Sequence, residues 1–127
     1  MSEVRRARGT AARLSGRKAE WWAAVYLMLK GYRVLGFRLK TAAAEIDLLV
    51  LKGETLAVVE VKQRTDLETA LEAVSFDQRQ RLRRAGRLIA GRRPGLKDAT
   101  VRLDLIALAP GRWPRHILDA WYFDETA

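Results

Sequence analysis

Glu45, Asp47, Glu60 and Lys62 are the residues of this sequence best placed to do chemistry. They lie in two strand-like segments, Glu45-Ile46-Asp47 and Glu60-Val61-Lys62, on either side of an apolar hairpin pattern. Side chains alternate faces along a strand, so Glu45, Asp47, Leu49 and Leu51 are expected on one face. Leu56, Val58, Glu60 and Lys62 share a face of the next segment, and Lys52-Gly53-Glu54 is the turn signal between them. Folding back at that turn matches apolar end to apolar end and gathers three carboxylates and one lysine at the other. Like charges directly opposed in a sheet are destabilising. The cluster therefore calls for a cation, altered protonation or full exposure to water.

The register has two solutions that keep the four charged groups on one face. A two-residue turn at Lys52-Gly53 sets Leu51 opposite Glu54 and Glu60 opposite Glu45. A four-residue loop sets Leu51 opposite Leu56, Glu60 opposite Asp47 and Lys62 opposite Glu45; it is preferred because it pairs leucine with leucine. Carboxylates on adjacent strands suit a hard cation with oxygen ligands. Mg2+, with Mn2+ as the alternative, takes one or two carboxylates and fills its sphere with water and substrate phosphate. A metal so held lowers the pKa of bound water, and a neighbouring lysine can orient that water or neutralise developing charge. Asp47, Glu60 and Glu45 are the candidate metal ligands, and Lys62 the candidate catalytic cation. The plain alternative is a solvated strand end with Lys62 paired to Glu45 or Asp47.

The elements that must position these residues follow from periodicity. Ser15-Gly16 opens a helix with Ala19, Trp22, Ala23, Tyr26 and Leu29 or Lys30 at helical spacing, and Gly31 stops it. Tyr32 to Leu39 is a first strand, and Glu45 to Leu51 and Thr55 to Val61 form the hairpin. Gln63 to Thr69 is polar and loop-like. A capping box, Ser75-x-x-Gln78, opens a second helix running to about Ala90. Val101, Leu103, Leu105 and Ala107 alternate as a fourth strand, and Ile117 to Phe123 is the expected last one. The helix between the third and fourth strands is a crossover that permits them to run parallel. The expected fold class is α/β, a mixed sheet flanked by helices. Residues 1–14, with Arg5, Arg6, Arg8 and Arg13, read as a flexible basic arm and 15–127 as one domain.

Composition sets the partner class. The chain has 127 residues, 49% hydrophobic and 31% charged, with a net charge of +9 and no cysteine. It reads as globular and soluble, without membrane span or secretory signal, and the lack of cysteine suits the cytoplasm. The positive balance favours a polyanion, nucleic acid above all. Arg79, Arg81, Arg83, Arg84 and Arg87 on the second helix are candidate phosphate contacts, against the alternative of an ordinary solvated face. Trp21, Trp22, Trp113 and Trp121 have rings that can stack on bases, but Trp22 falls on the apolar stripe and reads as core. Asp104 alternates with Arg102 and reads as a local ion pair. His116 has no second histidine at ligand spacing. Gln63 points away from Lys62 in a regular strand and is left outside the catalytic set. No P-loop or dinucleotide fingerprint is present.

Asp47 followed by Glu60-Val61-Lys62 resembles the PD-(D/E)xK signature of restriction-endonuclease-like nucleases. The wider pattern resembles the YraN-type uncharacterised protein family over about Ser15 to Phe123. It is carried by Gly16-Arg17-Lys18-Ala19-Glu20, Tyr26-Leu27, Gly31-Tyr32, Glu45-Ile46-Asp47-Leu48, Val59-Glu60-Val61-Lys62, Ala73-Val74, Arg81-Leu82 and Arg102-Leu103-Asp104. The family is similar to archaeal Holliday-junction resolvases. The resemblance implies a restriction-endonuclease-like αβββαβ core with Asp47 and Glu60 on metal and Lys62 at the water or phosphate. It also implies that Glu20 projects from the first helix toward the same site. It departs at Ala44, where glycine is usual, at the missing asparagine after the first strand, and at Gln78, near which lysine is common. The function expected is a metal-dependent endonuclease acting on DNA, including branched or junction DNA, for which a resolvase needs a symmetric homodimer. The competing expectation is a non-catalytic nucleic-acid-binding module that keeps the nuclease fold.

Overall fold

The apolar runs assemble into a five-stranded sheet with a helix layer on each face. A computed structural model describes residues 14–122; the expected basic arm, apart from Leu14, lies outside the described residues. In chain order the elements are α1 (Gly16–Leu29), β1 (Arg33–Lys40), β2 (Glu45–Lys52), β3 (Thr55–Gln63), α2 (Leu67–Glu72), α3 (Phe76–Arg92), a 3-10 turn (Pro94–Leu96), β4 (Thr100–Leu108) and β5 (Arg115–Ile117). The sheet order is β1-β2-β3-β4-β5. β3 and β4 run parallel and every other pair is antiparallel. This is a mixed α/β sheet in the expected αβββαβ order. No helix among the described residues is long and apolar enough to cross a membrane.

Each sheet face has its own core. α3 contributes Leu82 and Ala85 against Ile46, Leu49, Leu56, Val58, Leu103 and Leu105. α1 contributes Ala19, Ala23, Ala24 and Leu27 against Leu48, Val50, Ala57, Val59 and Ile106. β3 and β4 are consequently apolar on both faces, as central strands under two helix layers must be. α3 approaches the sheet closely enough that a Cβ on Gly86 would meet Val58 and Val101 methyls at 2.7 and 2.8 Å, so alanine there forces the packing apart.

Local chemistry sets the boundaries. Ser15 caps α1 by accepting the Lys18 N–H, and Ser75 caps α3 by accepting the Gln78 N–H, which satisfies otherwise orphaned donors. The α1 stripe differs from its expectation. Ala19, Glu20, Ala23, Ala24 and Leu27 are buried, whereas Trp22 is 51% and Leu29 81% exposed. Small alanines let the helix lie close to the sheet, and the indole is left outside.

Two further elements depart from expectation. α2 falls partly within the stretch read as loop; Asp66 caps it by accepting the Glu68 N–H. The expected last strand, Ile117 to Phe123, ends in a residue outside those described; over the rest, the strand observed is Arg115–Ile117, followed by a turn through Asp119. Asp119 adopts φ 49°, which ends the extended run, and Trp121 turns back into the core beneath α3.

Candidate functional site

The acid cluster is placed by the hairpin register. Leu51 lies opposite Leu56, and the turn closes one pair tighter, with Lys52 opposite Thr55. Gly53 occupies the first of the two loop positions at φ 59°, where a tight hairpin requires glycine. The ladder runs from that turn to Leu48 opposite Val59. Past this pair the link between the strands is a side chain: Asp47 Oδ2 accepts the Val61 N–H at 3.0 Å.

This end of β2 leaves regular alternation. Ile46 packs with Leu49 in the α3 core, whereas Leu48 and Val50 pack with α1. Strict alternation would put Ile46 with Leu48, so the expected single face for Glu45, Asp47, Leu49 and Leu51 is corrected. The physical cause lies on the neighbouring strand. β1 pairs Phe37 with Leu48 and Leu39 with Ile46, and the residue between, Arg38, has φ 48°. Both strands leave the pleat at one level, and Asp47 is free to bond across to β3. The connection into β2 is a tight turn in which Thr41 Oγ1 accepts the Ala43 and Ala44 N–H groups and donates to the Ala44 carbonyl. Ala44 has no positive φ, so the glycine usual in the family is not required there.

Glu60 is 4% exposed, and among the described residues it pairs with Lys62, Nζ lying 3.7 Å from Oε2. Burial, and then the Asp47 carboxylate beside it, push the Glu60 carboxyl up to about 8, with Lys62 offsetting only part of this. Asp47, Glu60 and Lys62 are thus brought together. Glu20 reaches the same end of the sheet from α1. It is buried, and Arg38 Nε donates to its Oε1 at 2.7 Å. Burial raises its carboxyl above the usual range, Arg38 opposes the rise, and Asp47 and Glu45 add to it. Glu20, Lys62, Gln63 and Arg64 line one hollow of about 200 Å3.

Glu45 remains exposed at the start of β2. Among the described residues no three histidine, cysteine or acidic side chains are gathered to hold a metal ion, so Glu45 does not complete a three-acid set. The pair Asp47 and Glu60 is the donor set that fits Mg2+, which needs one or two carboxylates and keeps its waters. A carboxyl pushed up first by burial and then by a second acid is the electrostatic condition that a divalent cation relieves.

The five arginines of α3 separate. Arg79 is buried, donates to the Val74 carbonyl and lies over the Phe76 and Trp121 rings, so it is a packing residue and not the surface phosphate contact expected. Arg83 is partly buried and pairs with Asp119 at 3.9 Å. Arg81 is exposed and pairs with Asp77 at 3.0 Å, and Arg84 and Arg87 are exposed.

Two residues at the site escaped sequence reasoning. Arg38 looked like an ordinary strand arginine, and only the fold brings it to Glu20. Gln63 accepts the Leu14 N–H at 2.8 Å and donates to the Leu14 carbonyl at 2.7 Å. It ties the entry to α1 to the end of β3, and so fixes Glu20 relative to Lys62. Its position directly after Glu60-x-Lys62 was the available signal.

Residues 19–108 match the family described as Uncharacterised protein family UPF0102. The chain belongs to this family. A UPF0102 protein of Caulobacter sp. (strain K31) is 68% identical over 117 residues, covering 92% of this chain and 84% of the relative. One of Caulobacter vibrioides (strain NA1000 / CB15N) is 64% identical over 118 residues, covering 93% and 94%. One of Parvibaculum lavamentivorans is 50% identical over 115 residues, covering 91% and 86%. The YraN-type family that the sequence resembles is this one. The matched segment begins inside α1, just before Glu20, and ends with β4, so it spans Asp47, Glu60 and Lys62.

Proposed function

We propose that the protein is a metal-dependent endonuclease that hydrolyses DNA phosphodiesters, with Asp47 and Glu60 as ligands of Mg2+ or Mn2+. The observation that carries this is Glu60 itself: a buried carboxyl beside Asp47, raised to about 8 and incompletely balanced by Lys62. Such a pair is poorly satisfied by the protein alone and well satisfied by a divalent cation. When bound, the metal supplies a Lewis acid and a water of lowered pKa.

The chain's own groups have defined tasks in this reading. Asp47 is oriented by the Val61 N–H. Lys62, partly buried, donates to the attacking water or to a non-bridging phosphate oxygen as negative charge develops. Glu20, held by Arg38, lines the same hollow as Lys62 and acts as a second acceptor for water or metal-bound groups. The net charge of +9 and the exposed Arg81, Arg84 and Arg87 favour a polyanionic backbone as substrate.

The test uses purified protein with labelled duplex, nicked, forked and four-way DNA in Mg2+, Mn2+ or chelator. Metal-dependent cutting is expected, with Asp47→Ala and Lys62→Ala each reducing the rate by at least about a hundredfold. Tight binding without cutting in either metal would replace the proposal with a non-catalytic nucleic-acid-binding module.

A further inference from the structure

The four tryptophans divide sharply once folded. Trp121 is core at 3% exposure, whereas Trp113 is 83% exposed and Trp22 51%. Trp22 and Trp113 line one cavity of about 420 Å3, together with Leu14, Gln63, Leu108 and Arg112. That volume is in the range of small-ligand sites, about 300–1,000 Å3. Trp21 meets Trp22 edge to face at 5.2 Å between ring centroids and extends the aromatic surface. Leaving large indoles in water at the rim of an apolar cavity is unfavourable unless something covers them.

The surroundings identify the occupant. Gln63 is a wall of this cavity and also of the hollow containing Glu20, Lys62 and Arg64, so the aromatic cavity adjoins the candidate catalytic end of the sheet. Arg112 lines the cavity and Arg64 the adjoining hollow, so the boundary between them is cationic. Arg64 donates to the Gln63 carbonyl at 2.9 Å, and Arg112 and Arg115 donate to the Thr65 carbonyl at 3.4 and 2.9 Å. These bonds hold three guanidinium groups along one short loop. Asp66, which feels the charge of Arg115, is committed to Thr69 and Glu68 at the start of α2. Aromatic faces beside a fixed row of arginines match a nucleobase and its phosphates. A paired base shows only its edges in the grooves. An indole can take the face of a base only when that base has left the stack.

We propose that the cavity between Trp22 and Trp113 binds an unpaired nucleobase next to the scissile phosphate. The substrate class is then DNA with single-stranded nucleotides beside the cut, such as forks, flaps or gaps, in preference to continuous duplex. This rests on the endonuclease reading for its catalytic consequence, but its binding test does not depend on cutting. Trp113 stacks on the base, Trp22 forms the inner wall, and Arg64 and Arg112 take the flanking phosphates.

The test is binding of labelled single-stranded, forked and blunt duplex oligonucleotides in chelator, where no cutting occurs, with indole fluorescence as a second readout. Wild type is expected to prefer single-stranded and forked DNA and to show quenched fluorescence on binding. Trp113→Ala should lose about tenfold or more in affinity for those substrates, change little with duplex, and unfold at the wild-type temperature because the ring is exposed. Trp113→Tyr should recover most of the loss. Equal affinity of wild type and Trp113→Ala for all three DNAs would overturn the proposal. So would self-association abolished by Trp113→Ala without effect on DNA, which would make a second copy the occupant. Stacking-dependent binding with no cutting in any metal would leave this site standing and remove the endonuclease reading instead.

Discussion

Two buried acids, one on each central strand, face opposite electrostatic fates. Glu60-x-Lys62 on β3 and Arg102-x-Asp104 on β4 have the same composition and spacing, an acid and a base two residues apart. Asp104 is fully buried, yet Arg102 grips it through Nε and Nη2 at 2.8 Å each. His116 Nε2 adds a third contact at 2.8 Å, and the Asp119 N–H a fourth at 3.0 Å. Lys30 Nζ, which can only donate, meets His116 Nδ1 at 2.7 Å, so Nε2 carries the proton shared with Asp104. Burial pushes the Asp104 carboxyl up, but these hydrogen bonds outweigh it and the result lies below the usual value. Among the described residues Glu60 has one lysine at 3.7 Å and a second acid beside it, and it is pushed up to about 8. Burial alone does not distinguish structure from function here. The completeness of the partner set does. The well-partnered acid holds β4 to β5 and the turn after it, and the poorly balanced one is where the proposed metal would bind.

The largest expected effect breaks the satisfied site. Asp104→Ala leaves the Arg102 cation, largely buried, without its carboxylate and removes the acceptor for His116 and the Asp119 N–H. Removing one partner of a buried charge network costs about 3–5 kcal/mol, so urea unfolding should show a midpoint far below wild type or no folded baseline. A loss under about 1 kcal/mol would mean that Asp104 is not the anchor its contacts imply.

The next effect has the opposite sign and concerns Glu60. Its ordinary carboxyl value is 4.5 and its folded value about 8. Below 4.5 both folded and unfolded states hold the proton and nothing is gained or lost. Between 4.5 and 8 the folded state holds a proton that the unfolded chain has released, so stability falls as pH rises, by at most about 5 kcal/mol in all. Asp104 works the other way: its contribution is present above 3.8 and is lost on acidification through its lowered value. In chelator, Tm should therefore decline from pH 5 to 8.5 in wild type and stay nearly flat in Glu60→Gln, which should melt about 10 °C higher at pH 8.5. Mg2+ should raise the wild-type Tm by mass action and leave the variant's unchanged. The same alkaline decline in both proteins would show that Glu60 is not the group responsible.

Much of this contrast was legible before folding, and the gaps have physical reasons. The hairpin register followed from pairing Leu51 with Leu56; it gathered Glu45, Asp47, Glu60 and Lys62 at one end, and the family resemblance singled out the last three, while the loss of alternation at Asp47 was not readable. The pairing of Arg102 with Asp104 was readable from their spacing. What could not be read was its completion, because His116 and Asp119 arrive from beyond a turn. Arg38 is likewise brought to Glu20 by tertiary packing, at a backbone kink that no residue pattern marks. Trp22 was misplaced because periodicity counts apolar residues without weighing their size, and the interface of α1 with the sheet admits alanine but not indole. Arg79 looked like its neighbours on α3 until Val74 and Trp121 were seen to enclose it.

The smallest expected effect sharpens how far the Asp104 network extends. Tyr32 Oη accepts from Arg102 Nη2 at 2.7 Å, while its ring packs edge to face on His116 at 5.8 Å and lies under Lys52 Nζ at 5.2 Å. Tyr32→Phe keeps the ring and its packing but removes one acceptor from a guanidinium that still holds both Asp104 oxygens. If the carboxylate is the dominant partner, the loss is that of one ordinary hydrogen bond, about 0.5–1.5 kcal/mol, in urea unfolding. The pairing of Arg102 with Asp104 should persist, so the acid limb of the stability profile should keep its wild-type midpoint. A shift of that limb toward higher pH would show that Tyr32 helps hold Arg102 on Asp104. The network would then be a cooperative unit of four side chains, in which the phenol contributes through the orientation of the arginine more than through its own bond.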